Sequence, residues 1–164
     1  MSSNRYLLMV FVAALGVLAV GSWVGFVSPV RAGESPVVVV VGASSPISDI
    51  SKSALRRAFL AEPTVVAGVK LLPLNQEPGT PERSRFDRTV LDLAPDAMSR
   101  FWIDQRLRGQ GNPPRAIPSV PLLGKLVNQL PGAICYMKES EVPPGVKVLT
   151  VDGKKAGTSA YALR

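Results

Sequence analysis

Five consecutive valines, at positions 37–41, stand between Pro36 and Gly42. Valine is branched at Cβ and stiff in χ1, so the run favours extended backbone. Apolar side chains then fall on both faces of the pleat, and such a strand needs cover above and below, as in a parallel or mixed sheet flanked by helices. The rest of the chain is read for the helices that supply that cover.

Helix signals recur along the sequence. Ser51 stands as an N-cap after Ile50, with Leu55, Ala58 and Phe59 on one stripe and Glu62-Pro63 as the stop. Thr80-Pro81 sets a capping oxygen before a proline at the first helical position, with Phe86, Val90 and Leu91 facing inward. A third helix starts near Pro95, turns Met98, Phe101, Trp102 and Leu107 inward, and stops at Gly109. Ser119-Val120-Pro121 opens a fourth, with Leu122, Leu123, Leu126, Val127 and Leu130 apolar and Pro131-Gly132 as terminator. Residues 69–74, 133–137 and 146–151 read as further strands, and Pro73 puts the first of these at an end or an edge. Residues 75–79 read as a loop and Asp152-Gly153 as a turn, while the tail 154–164 is either a short edge strand or loose. The sum is an α/β domain with a mostly buried mixed sheet of four to five strands flanked by about four helices.

The N-terminus has a different character. Residues 7–27 carry no charge over 21 positions, and Val30 and Ala32 are small enough for the −3 and −1 sites of signal peptidase. Residues 1–32 therefore read as a signal peptide cleaved after Ala32; retained, the same run is long enough to anchor the chain in a bilayer. Either way residues 33–164, read as one domain, work outside the cytoplasmic membrane, in the periplasm. Arg5 and Arg31 are the only charged side chains of the leader, so its removal takes the net charge from +7 to +5.

Composition excludes much chemistry. With no histidine, the chain has no Ser-His-Asp or Cys-His nucleophile system and no His-ligated metal. Cys135 is the only cysteine, so no internal disulfide forms. No two carboxylates stand out as an acid/base pair, and a non-enzymatic protein needing no cofactor and no metal is the expectation.

The segment 77–86 carries the strongest binding signal. Gly79 before a capped helix start leaves amide N–H groups for an anion, in the field of the helix dipole, and Thr80, Arg83, Ser84 and Arg85 add donors. Glu77 and Glu82 compete in the same field, and an ordinary helix start with solvated arginines is the plainer alternative. Ser44 and Ser45, after the first strand, are candidate anion contacts from a second side. Seven arginines lie between Arg83 and Arg115, but Asp87, Asp92, Asp96 and Asp104 are interleaved with them and exposed aromatics are not. That argues for helix-surface ion pairs and against nucleic acid. Phe101-Trp102 reads as core, and Cys135 as a small buried apolar residue.

The order of the segments Ile50-Ser-Lys-Ser-Ala-Leu-Arg-Arg-Ala-Phe-Leu60, Arg83-Ser-Arg-Phe86, Phe101-Trp102, Arg108-Gly-Gln-Gly-Asn-Pro-Pro114 and Pro131-Gly-Ala-Ile-Cys-Tyr136 resembles the phosphate ABC transporter substrate-binding family. The likeness is to its short, single-lobe exported members with the type 2 periplasmic-binding-protein fold, over about residues 37–151. It implies non-covalent binding of inorganic phosphate or a similar small oxyanion for handover to a membrane permease. The family's Ser-Gly-Thr motif falls on Pro78-Gly79-Thr80, and the arginine that usually precedes it corresponds to Asn75. Those two replacements and the missing second lobe support an alternative: a periplasmic interaction or assembly module that kept the fold and lost the ligand.

Overall fold

In a computed structural model the described residues are 35–161 and Leu163. Residues 1–32, read from the sequence as an export signal, lie outside them. Glu34–Arg164 forms one compact unit. Its elements, in order, are β1 (Val37–Gly42), β2 (Asp49–Ile50), α1 (Lys52–Phe59), β3 (Val65–Val66), β4 (Val69–Lys70), β5 (Leu72–Gln76), α2 (Pro81–Thr89), α3 (Pro95–Leu107), β6 (Arg115–Ile117), α4 (Val120–Gln129), β7 (Ala133–Lys138), a 3-10 turn (Glu139–Glu141), β8 (Val146–Val148) and β9 (Thr150–Val151).

Five strands make a mixed sheet in the order β6-β5-β7-β1-β8, while β2 pairs with β9 and β3 with β4. Strands β5, β6 and β7 are parallel, and β1 runs antiparallel to β7 and β8. Every residue of β1 is buried, and the register shows what covers it. Val39 pairs with Tyr136, whose ring stacks on Phe86 of α2 at 4.0 Å and tilts against Phe59 of α1, so α1 and α2 cover that face. Gly42 lies on the opposite face, where an added Cβ would come within 2.9 Å of the Val127 carbonyl of α4. The result is three layers, helices on both faces of a mixed sheet, as the valine run requires.

Ser51, Thr80 and Ser119 each cap their helix as the sequence suggests, accepting from the N–H of Ala54, Arg83 and Leu122. Helix α1 ends at Phe59, before Glu62-Pro63. The stretch 69–74 divides into β4 and β5, and β5 is an interior strand that continues through Asn75 and Gln76, both buried. Pro73 is tolerated there because Leu72 N–H donates to Gly132 O on the β7 side. The proline nitrogen therefore faces the other side, where β6 begins only opposite Leu74. The stretch 146–151 also divides, since β8 leaves β1 after Val148 and β9 turns to β2.

Leu107, expected to face inward, lies at the surface at the last turn of α3, as do the apolar Leu122 and Leu130 at the ends of α4. Helix ends project past the layer they cover, so an apolar residue there need not reach the core. The tail is neither an edge strand nor loose. Tyr161 and Leu163 are buried, and the Tyr161 hydroxyl accepts from Val39 N–H at 3.1 Å and donates to Leu149 O at 3.3 Å. It satisfies β1 where β8 has turned away.

Candidate functional site

The parallel strands carry the chain to one end of the sheet, and α2 starts there. Its first turn is satisfied from within. Pro81 has no N–H, Thr80 Oγ1 accepts from Arg83 N–H at 3.4 Å, and Ser84 N–H reaches Thr80 O at 3.0 Å. The Glu82 carboxylate takes a hydrogen bond from its own backbone N–H. The amides expected to be free for an anion thus have internal partners, which leaves side chains as the means of holding one.

Glu82 is buried and pairs with Lys138, the last residue of β7, at 2.9 Å. Burial pushes its carboxyl up, but the Lys138 hydrogen bond, its own N–H and the charges of Lys138 and Arg85 together hold it below the usual range. Arg83 is also buried. Its Nη1 donates to Gln76 O at 2.6 Å and its Nε to Asp87 Oδ2 at 3.4 Å, one helical turn on. Below this pair, Gln76 Nε2 donates to Tyr136 O at 3.0 Å and the Tyr136 hydroxyl donates to Asn75 Oδ1. Burial raises the Tyr136 phenol, which stays protonated as a donor. A polar network thus links the end of β5, the middle of β7 and the start of α2.

Asp87 is the least settled member. Its side chain is 10% exposed, and Oδ1 has no hydrogen-bond partner. Burial raises its carboxyl, against the lowering pull of Arg83.

A cleft of about 380 Å³ opens between α2 and α3. It brings together Gly79, Arg83 and Ser84 from the expected set, with Asp87 of α2 and Arg106 of α3. Met98, Trp102 and Ile103 supply an apolar wall. Thr80 is occupied as the cap and as a donor to Glu77 O at 3.1 Å, and neither it nor Arg85 lines the cleft. Ser44 and Ser45 lie elsewhere. Because β1 is antiparallel to β7, its end sits at the opposite end of the sheet, where these serines line a cleft of about 170 Å³ with Asn128 and Gln129, at the carbonyl end of α4. A helix C-terminus favours a cation over an anion.

Asp87, Arg106 and the Trp102 wall were not singled out as site residues from sequence. Arg83 and Asp87 at i,i+4 were a usable signal for the first. Nothing local marks Arg106, which joins the site only through the packing of α3 on α2. Among the described residues no group of His, Cys, Asp and Glu is arranged to hold a metal ion, and no helix is long and apolar enough to cross a membrane.

No protein-family model and no curated protein matches the chain. Solved structures do. An ABC-type phosphate transport receptor from Vibrio cholerae superposes with a TM-score of 0.57 at 16% identity, over 74% of this chain and 48% of that one. A phosphate ABC transporter substrate-binding protein from Clostridium perfringens, with bound phosphate, gives 0.55 at 15% identity over 74% and 47%. PstS from Borrelia burgdorferi gives 0.56 at 12% identity over 79% and 54%. The chain shares their fold and spans about half their length, as a single-lobe, periplasmic-binding-protein-like domain.

Proposed function

We propose that this is an exported, non-enzymatic solute-binding-fold protein that holds a small oxyanion, such as inorganic phosphate, in the cleft between α2 and α3. One observation carries the reading: the fold that superposes on phosphate-binding proteins puts Arg83, Ser84 and Arg106 into one cleft. The anion is held by a guanidinium fork and a hydroxyl, with no bond made or broken. Residues 1–32 carry the domain to the periplasm, and a membrane permease is the partner that such binding implies.

An open single lobe leaves the anion half in water, so each contact counts for less than in an enclosed site. Calorimetric titration of the chain with inorganic phosphate tests the reading. Saturable heat that is lost in Arg106→Ala and reduced in Ser84→Ala supports it. Arg106 is exposed, so its removal spares the core.

A second reading has its own observation. The first-turn amides of α2 are bonded internally, and Pro78 and Asn75 replace expected donors. A fold kept after its anion site was internally satisfied would serve as a periplasmic interaction or assembly module. Absence of heat at millimolar phosphate favours it over the first.

A further inference from the structure

Resting on the oxyanion reading, the chemistry of the cleft specifies the ligand further. A bare inorganic anion suits only part of the surface. Beside the cations stands Asp87, a carboxylate that repels a second anion unless a donor lies between them. Its Oδ1 is buried and lacks any partner, although buried carboxylate oxygens are nearly always hydrogen-bonded. Asp87 itself lines the cleft while its other oxygen is held by Arg83, so a donor entering the cleft completes the carboxylate's set. Across from it, Met98, Trp102 and Ile103 form an apolar wall in which Met98 and Trp102 are buried and Ile103 is 53% exposed, more than half its surface left in water. Covering such a wall returns hydrophobic free energy that phosphate cannot supply.

We propose that the α2–α3 cleft takes an organic oxyanion: an acid whose charged group meets Arg106 and Ser84, whose neighbouring hydroxyl or ammonium donates to Asp87, and whose apolar body covers Ile103 beside the buried Trp102. A 2-hydroxy or 2-amino carboxylate with an aromatic or aliphatic side chain has these three features. The cleft's volume of about 380 Å³ accommodates a molecule of that size.

Trp102 reports on the cleft directly. The chain has one other tryptophan, Trp23, so the full chain is used in detergent with Trp23→Phe as background. Emission is titrated with phenyllactate, phenylalanine, 3-phenylpropionate and inorganic phosphate, with calorimetry in parallel. The expected result is that phenyllactate and phenylalanine bind at least about tenfold more tightly than 3-phenylpropionate, which lacks the donor, and than phosphate, which lacks the body. Asp87→Asn removes the first preference. Ile103→Ser, at an exposed position that leaves the fold intact, weakens the aromatic acids and leaves phosphate unchanged. Phosphate binding as tightly as the aromatic acids overturns this inference and leaves the oxyanion reading standing. Silence from all four probes in both measurements overturns the two together.

Discussion

Removing a single oxygen from Tyr161 is a demanding test of how the sheet is held. The ring is 3% exposed, and its hydroxyl bridges Val39 N–H and Leu149 O at 3.1 and 3.3 Å. Tyr161→Phe keeps the ring and its packing, and strands a donor in the middle of the most buried strand and an acceptor where β8 turns away. A buried group left without its partner costs about 1–3 kcal/mol, and the longer of the two bonds is the weaker, so the pair should cost about 2–3 kcal/mol. With a urea slope of about 1–3 kcal/mol/M for a domain of this size, the unfolding midpoint falls by about 0.7–3 M. The assay is urea denaturation followed by far-ultraviolet circular dichroism, with Lys155→Ala in the exposed part of the same tail as control. The control should shift by less than about 0.5 kcal/mol. A Tyr161→Phe midpoint indistinguishable from the control's would refute the assignment of the tail as part of the sheet's hydrogen bonding.

Other substitutions probe other links. Gly132 has φ +77° and an added Cβ would lie 2.2 Å from Lys70 O, so Gly132→Ala combines left-handed strain with a backbone clash. It should destabilise by more than about 2 kcal/mol in the same urea assay, whereas Gly153→Ala, with open space around its Cβ, pays the strain alone. Phe86→Ala, which removes the ring stacked on Tyr136, should cost about 3–5 kcal/mol. Leu107→Ser, at a residue 83% exposed, should stay within about 0.5 kcal/mol. Asp87 predicts an unusual pH response. Burial raises its carboxyl, so the folded state keeps that proton where the unfolded chain, near pH 4, has released it. Stability from this group is therefore fully present below the unfolded value and declines as pH rises through the folded one. Relative to wild type, Asp87→Asn should gain stability from pH 4 upward, and parallel urea midpoints across pH would contradict the shift.

The layers were legible because the signals behind them are local. The valine run, the three hydroxyl caps and the Pro-Gly stop each act through backbone geometry within a few residues, and the structure repeats them. Misreadings came where tertiary packing decides. Asn75 and Gln76 look like loop because they are polar, yet they extend β5 by pairing with Ala116 and Ile117 of β6, and their side chains are satisfied by Tyr136, 61 and 60 residues away. The tail looks loose because its anchor, Tyr161, is surrounded by small and charged residues, and its partner Val39 lies 122 residues earlier. At the site, Gly79, Arg83 and Ser84 were visible as a helix start. The sequence could not show that the first-turn amides would be taken internally, nor that α3 would bring Arg106 and Trp102 alongside.

The oxyanion reading meets its most direct test in the arginine side chains themselves. Phosphate is titrated into ¹⁵N-labelled protein while the Nε–H signals of Arg83 and Arg106 and the Ser84 amide are followed by NMR, with Arg100 and Arg108 outside the cleft as internal controls. The account predicts saturable shifts at Arg83, Arg106 and Ser84 and none at the controls. Shifts that are absent, or equal across all four arginines, would contradict it.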